Sequence, residues 1–437
     1  MSAQSSHRYQ TRQLGFWQKA KEIRLNYYRE IAAAREEGKL LTTGSLGGPA
    51  TLVAGLGPCV HLGGEPYGAS IAADPAFSIE CAEAVEGRGF ARDLCAYMRN
   101  YWGSMFLDRY YFGGPFPKPD FCLQLHVCDS HGKWYQVVSE HLGIPYFGID
   151  FPVCFTEGDK QARQGYLVNQ MLDSIEWMEK VTGRQYNDEL LIEAVKNECL
   201  SSALWGEAMC LNKAVPAPLD QKSIFSLYVV GGFIRHRKEA VDFYQQVRDE
   251  VKERVADGIA AVPSERCRLV DDGQPPWYFL RLYRYLEQYG AVVVGSWYTL
   301  FLFGHAGEQP DGTWGRAKTP QELGMPLNNR EDAVRALVWW HLDKPNRSVF
   351  GSPQGKAALN LRFYKEWGAQ GMIMHLNRGC EGLSMFSPEI RLFLLQQGVP
   401  VVAFEHNMAD KREFDEVQVL DRLDAFMESL DLKKLED

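Results

Sequence analysis

The chain has 437 residues, 46% hydrophobic and 24% charged, and Lys+Arg 47 against Asp+Glu 56 gives a net charge of −9. That length is enough for two or three domains with proper cores. The acidic balance excludes general nucleic-acid binding, which needs a basic surface, but leaves room for an anionic small molecule in a local basic pocket.

The N-terminus, MSAQSSHRYQTRQ, lacks the apolar core of a signal peptide. The longest nearly apolar stretch, Ala291 to Gly304, is too short and too polar to span a bilayer. The expectation is a cytoplasmic protein that binds neither membrane nor nucleic acid. Its ten cysteines are then buried apolar residues, reactive thiols or metal ligands rather than disulfides. No CxxC pair or HExxH occurs, so any metal site must collect ligands distant in sequence.

Trp17, Ala20, Ile23, Tyr27 and Ile31 recur at helical spacing, which predicts a helix over about 13–38 with Gly38 as its stop. Short apolar runs then predict strands at Leu40–Thr43, Phe121–Val127, Tyr146–Ile149, Leu269–Val270, Ala291–Val294, Gly371–Met374 and Val399–Phe404. Several follow a helix ending in glycine, as in LEQYGAVVVGS, EWGAQGMIM and LQQGVPVVAF. Helix, glycine, buried strand, repeated, is the α/β pattern with a parallel sheet.

Helices at Tyr166–Thr182 and Asn187–Ala203 separate two such sets, with Gln221–Phe233 as a crossover. The predicted fold is α/β: two domains with mainly parallel sheets flanked by helices, plus an N-terminal helical segment. The expected boundaries are 1–40 for that segment, 41–222 for a domain carrying Cys95 and Cys128, and 223–437 for a domain carrying Cys380. The acidic tail MESLDLKKLED reads as the solvated end of a last helix.

Ligands of open parallel sheets bind beyond the carboxyl ends of the strands. Cys128 follows FCLQLHV and Cys380 follows GMIMHLN, both at such ends. Cys95, in FARDLCAYMRNYWG, falls near the start of a helix, where a thiolate is favoured. On position alone, packing and ligation of iron–sulfur or zinc both stay open for these three. Cys122 lies inside a strand and reads as core. Cys59, Cys81, Cys154, Cys199, Cys210 and Cys267 take the same packing reading.

ARDLCAYMRNYWG, DFCLQLHVCDSHGKWYQVVSEHLGIP and GMIMHLNRGCEGLS resemble the three cysteine-bearing segments of the benzoyl-CoA reductase / 2-hydroxyacyl-CoA dehydratase family. HLGGEPYGA, the DDGQPPW loop and VPVVAFEHNMADKREF fit as well, so the resemblance runs from about residue 20 to 430. It is nearest to the larger cluster-bearing subunit of ATP-dependent benzoyl-CoA reductase. The resemblance implies a [4Fe-4S] cluster held by Cys95, Cys128 and Cys380, with one non-protein ligand on the remaining iron. It also implies a paralogous cluster-bearing subunit, ATP-hydrolysing iron–sulfur activator subunits, ferredoxin as electron donor and an aryl-CoA thioester as substrate. The implied reaction dearomatises benzoyl-CoA to a cyclohexadiene-carbonyl-CoA by low-potential single-electron transfers and protonation. Two alternatives are a 2-hydroxyacyl-CoA dehydratase subunit and a non-catalytic partner of a cluster-bearing paralogue. Where relatives often carry Glu-x-Asp in the last loop, this chain has Glu405-His406-Asn407, so a role tied to the second carboxylate does not transfer.

Thiolates are the standard protein ligands of such clusters, whose potentials reach down to roughly −700 mV. Proton donors belong close to the cluster loops. His126, two residues before Cys128, and His375, five before Cys380, are the candidates, because imidazole titrates near neutral pH. Asp129, His131 and Glu381 read instead as caps or solvated groups. RHRK, Arg235 to Lys238, is expected to open a helix, where an anion such as a coenzyme A phosphate would compensate its charge; a solvated basic turn is the other reading. GSPQGK, Gly351 to Lys356, is one residue short of a phosphate loop and lacks its Ser/Thr, so ATP is expected on a partner.

Overall fold

The structure is a computed structural model that describes residues 8–152, 159–350 and 352–436. Cys154 lies outside them. The described residues form ten strands: β1 Leu40–Gly44, β2 Cys59–Gly63, β3 Phe121–His126, β4 Tyr146–Asp150, β5 Cys267–Asp271, β6 Ala291–Ser296, β7 Ala306–Glu308, β8 Trp314–Arg316, β9 Gly371–Asn377 and β10 Val401–His406.

Two four-stranded parallel sheets result, in the orders β2-β1-β3-β4 and β10-β9-β5-β6, with β7 and β8 as a separate antiparallel hairpin. Every residue of β5 and β6 is buried, as strands covered on both faces must be. Gly290, Gly368 and Gly398 all adopt positive φ ahead of β6, β9 and β10, the helix-closing geometry read from the sequence.

Read from its first strand, each sheet has the same order. The chain lays its second strand on one side of the first, then crosses to place the third and fourth on the other. The crevice between first and third strands is a topological switch point, where α/β sheets bind ligands. Cys128 and Cys380 follow the third strands of the two sheets, so they occupy equivalent positions.

Three elements depart from expectation. β2 was not anticipated, because CVHLG is short, glycine-flanked and carries a histidine. It is held by register with β1, and Thr42 Oγ1 lies 2.9 Å from His61 Nδ1. The three-residue strands of the hairpin are likewise too short to show a period. The first helix is Trp17–Ala33, shorter than 13–38, with a turn carrying the chain to Gly38. Its Tyr27 stacks on Phe233 of the helix Gln221–Ile234, ring centroids 4.9 Å apart, so it packs onto the second half of the chain. The helix Arg330–Leu342 packs back on Lys160–Thr182 and Asp188–Leu211, covering a face of the first sheet. Among the described residues no helix is long and apolar enough to cross a membrane.

The helix Ala96–Phe106, which begins at Cys95, approaches Pro75–Glu86 through Gly103. A Cβ at Gly103 would stand 2.2 Å from the carbonyl oxygen of Cys81. Gly103→Ala is therefore expected to lower unfolding stability by about 1–3 kcal/mol. An unchanged urea midpoint would show that the two helices separate at no cost.

Candidate functional site

Each of the three candidate cysteines introduces a helix. Cys95 is the N-cap of Ala96–Phe106, Cys128 the N-cap of Asp129–Leu142, and Cys380 directly precedes the short helix Glu381–Ser384. Nearby backbone N–H groups lower each thiol's pKa: those of Tyr97 and Met98 at Cys95, of His131 at Cys128 and of Leu383 at Cys380. Donors of this kind favour a thiolate.

The three segments meet. Gly379, at φ +70°, lies so close to the Cys95 loop that a Cβ would stand 2.8 Å from Asp93 O and 2.9 Å from Leu94 O. Only glycine permits that approach in that conformation. Arg99 ties the same loop down. Its Nε donates to Leu94 O at 3.1 Å, and its Nη1 meets Glu86 Oε1 at 3.2 Å and Asp410 Oδ2 at 3.0 Å. Asp410 belongs to the loop after β10, so this buried cation joins the two halves of the chain.

The thiols feel one another's charge. Burial pushes Cys95 up to about 11, with Cys128 adding to the rise. Burial also raises Cys380, reinforced by Cys95 and Cys128. Cys128 goes the other way. Burial alone would raise it, but His131 holds it below its ordinary value, with Nδ1 3.3 Å from the sulfur. His131 Nε2 lies 2.5 Å from Glu65 Oε1. Against burial, which lowers it, the charges of Cys128 and Glu65 keep this imidazole well above its usual value. The expectation that His131 is a cap or a solvated group is thus corrected: it is a buried link between a thiol and a carboxylate.

No three His, Cys, Asp or Glu side chains among the described residues form a group for a single metal ion. One ion needs its thiolates about 2.3 Å from a common centre. A multi-iron cube takes each thiolate on a different iron, so its sulfurs stand further apart. Three thiols on three segments, one buried and two partly buried, with backbone N–H groups favouring the thiolate at each, fit that second donor set.

Beside these thiols lies a cavity of about 430 Å³. Trp17, Tyr97, Phe225, Tyr228, Phe233, Trp277, Tyr298 and Phe303 line it, with Glu65 and Leu46 on its inner side and Gln13, Gln18, Lys21 and Arg24 toward solvent. Tyr97 is two residues from Cys95, and Glu65 bonds the His131 that stands 3.3 Å from the Cys128 sulfur, so the inner wall is continuous with two of the thiol loops. Leu46 N–H donates to both Glu65 oxygens, at 3.1 and 3.0 Å, fixing the carboxylate at the end of β1.

The predicted histidines stand elsewhere. His126 is half exposed at the end of β3, with Nδ1 3.3 Å from Asp150 Oδ1. His375 is buried, with Nδ1 3.1 Å from His406 Nε2 and Nε2 3.7 Å from Asp271 Oδ2. Neither is a lining residue of the cavity. Asp129 is exposed in the first helical turn, as expected. The side chain of Glu381 lies outside those described. Asn407 builds its loop, accepting from Ala409 N at 3.1 Å and Asp410 N at 3.0 Å.

Arg235 corrects two expectations. It closes the helix Gln221–Ile234, whereas the next helix begins at Lys238. Its Nε pairs with the buried Glu198 Oε1 at 2.9 Å, so its charge is already balanced inside the protein. Sequence reasoning missed Glu65, Tyr97, Tyr298 and Lys356. Lys356 is buried and donates to Leu383 O, in the turn that follows Cys380. Glu65 stands in HLGGEPYGA, and its negative charge between two glycines and a proline in an otherwise apolar stretch was the available signal.

Fold and site together define a paired-sheet α/β protein with a thiol-lined centre where its two switch points meet. The chain belongs to the family described as 2-hydroxyglutaryl-CoA dehydratase, D-component, whose model matches residues 49–430. It is 27% identical to the (R)-phenyllactyl-CoA dehydratase alpha subunit of Clostridium sporogenes over 374 residues, covering 85% of this chain and 84% of that one. It is 25% identical to the (R)-2-hydroxyisocaproyl-CoA dehydratase alpha subunit of Clostridioides difficile, covering 82% of each. It is 24% identical to one of the subunits that make up the benzoyl-CoA reductase of Thauera aromatica, covering 80% of this chain and 79% of that one. These relatives come from both dehydratases and a reductase.

Because His131 lowers Cys128 while burial raises the other two thiols, metal-free protein at pH 7 should react with iodoacetamide at Cys128 first. His131→Gln should remove that preference. Equal labelling of all three cysteines in the unmutated protein, followed by mass spectrometry of the peptides, would contradict the assignment.

Proposed function

We propose that this chain is the [4Fe-4S]-bearing subunit of an ATP-dependent aryl-CoA reductase, with Cys95, Cys128 and Cys380 as the cluster's protein ligands and benzoyl-CoA as substrate. The observation that carries the reading is the aromatic cavity whose wall includes Tyr97, two residues from Cys95, and Glu65, which bonds the His131 beside Cys128. When bound, the cluster supplies single electrons of very low potential, and the iron without a protein thiolate offers an open position. A paralogous subunit, ATP-hydrolysing activator subunits and ferredoxin are the partners this chemistry requires.

The chain's own residues have definable tasks. Aromatic walls accept a ring by offset-stacked or edge contacts and keep water away from it. Lys21 and Arg24, on the solvent side, are suited to the phosphates of coenzyme A, the role once expected of Arg235. His131 donates to the Cys128 sulfur, and Glu65 fixes the ring that does so. Glu65 is also the carboxylate that lines the cavity, so it is the group placed to exchange a proton with a bound acyl group. His375 and His126 lack that placement.

A second reading is supported by the relatives' names. (R)-phenyllactyl-CoA also carries an aromatic acyl group, so the same cavity suits a 2-hydroxyacyl-CoA dehydratase subunit. The two separate on product. The anaerobically assembled complex, given ATP and a reductant, should convert benzoyl-CoA to a cyclohexadiene-carbonyl-CoA with stoichiometric consumption of electrons. Turnover of (R)-phenyllactyl-CoA to the unsaturated thioester without net reductant, and none of benzoyl-CoA, would establish the dehydratase instead.

The ligand assignment has its own measurement. Cys128→Ala and Cys380→Ala should lose iron and sulfide, whereas Cys122→Ala, a buried thiol inside β3, should keep both. Equal iron in all three variants would remove the assignment.

A further inference from the structure

Three phenols, Tyr97, Tyr228 and Tyr298, line the inner wall of the cavity. Tyr228 OH donates to Tyr298 OH at 2.9 Å. The side chains of Tyr97 and Gln274 act on the same hydroxyl, each lowering its pKa against burial. Trp277 Nε1 in turn donates to Tyr97 OH. Tyr97 comes from the helix that follows Cys95, Tyr228 from Gln221–Ile234, and Tyr298 from the segment after β6. The Tyr298 oxygen thus accepts from Tyr228, while Trp277 fixes Tyr97.

An oxygen that accepts a hydrogen bond becomes a better donor through its own proton, because bonds in a chain polarise one another. The Tyr298 proton is the one this arrangement leaves over for something in the cavity. Burial holds all three phenols above their ordinary values, so each is a neutral donor at physiological pH and none acts as a base. Tyr298 is buried among the described residues, lines the cavity and lies within electrostatic reach of Cys380.

We propose that Tyr298 is a catalytic hydrogen-bond donor whose hydroxyl meets the thioester carbonyl oxygen of the acyl group in this cavity, with Tyr97 and Tyr228 as positioning residues. The inference rests on the cavity being the acyl-CoA site, and it holds for ring reduction and for dehydration alike. Both chemistries place negative charge on the thioester oxygen once an electron enters the acyl group. A donor aimed at that oxygen in a dry cavity stabilises the charge where it develops. No bond to hydrogen is broken: the proton stays on Tyr298 and the hydrogen bond strengthens.

The test uses Tyr298→Phe in the assembled complex, with benzoyl-CoA labelled with 13C at the thioester carbonyl. Without ATP the labelled ligand is bound and not turned over. Its carbonyl stretch in the unmutated complex should lie at lower frequency than in solution, and Tyr298→Phe should return it toward the solution value. Tyr228→Phe, which removes only one donor to Tyr298, should shift it less. With ATP, kcat should fall about 100- to 1,000-fold in Tyr298→Phe. Iron content should stay as in the unmutated complex, and the Kd of the thioester, followed by tryptophan fluorescence, should rise no more than about tenfold. The same carbonyl frequency in both complexes, with the thioester bound in both, would overturn the proposal and leave the cavity reading standing. Failure of the unmutated complex to bind benzoyl-CoA and (R)-phenyllactyl-CoA would overturn both.

Discussion

The site depends first on one buried cation. Arg99 is almost wholly out of solvent, and its guanidinium meets Leu94 O, Glu86 and Asp410. A buried charge is tolerable only with partners, and removing one partner typically costs several kcal/mol. Here the partners are the thiol loop itself, the helix Pro75–Glu86 and the loop after β10. Arg412 reinforces the arrangement by binding both Glu86 and Asp410. The loop bearing Cys95 is thus held by the same charges that join the two halves of the molecule. Cys95 gains its position from this network rather than from a strand.

The other two thiols need no such clamp, because parallel-sheet topology places them. Each follows the third strand of a sheet whose chain reverses between first and third strands. The two carboxyl-end crevices converge, and Gly379 lets one loop lie on the backbone of another. The same convergence opens the aromatic cavity, since helices from both halves and the N-terminal helix must close around it. Catalytic groups carried by loops on rigid strand ends are the usual outcome of such folds.

Much of this was legible in the sequence, for particular reasons. Parallel strands buried on both faces read as apolar runs, so β6 and β9 stood out, and Cys128 and Cys380 could be placed at strand ends. The matching family confirmed the resemblance that those cysteine segments carried. β2 was hidden because its residues are poor strand formers and its stability comes from pairing with β1. Arg235 was misread because a basic run looks solvated or anion-binding until Glu198, 37 positions earlier, is seen against it. His131 was misread because helical position says where a side chain starts but not what it meets. Glu65 reaches it from 66 positions away. Tyr97, Tyr228 and Tyr298 carry no spacing at all in sequence. Only the closing of three helices around one space brings their hydroxyls together.

A reductase and a dehydratase ask nearly the same things of a chain folded this way. Each needs a thioester kept from water, thiols fixed in mutual reach, and neutral donors facing the oxygen that gains charge. They diverge in the direction of proton traffic: ring reduction adds protons to carbon, whereas dehydration must take one from the acyl chain. A cavity walled by neutral phenols is rich in donors and poor in bases, and Glu65 is the carboxylate lining it. That carboxylate accepts from Leu46 N–H, from His131 and from Tyr135 OH, so it is held by three partners inside the protein. The phenols keep their protons, so Glu65 is the lining group placed to move one, and the direction in which it does so separates the two chemistries.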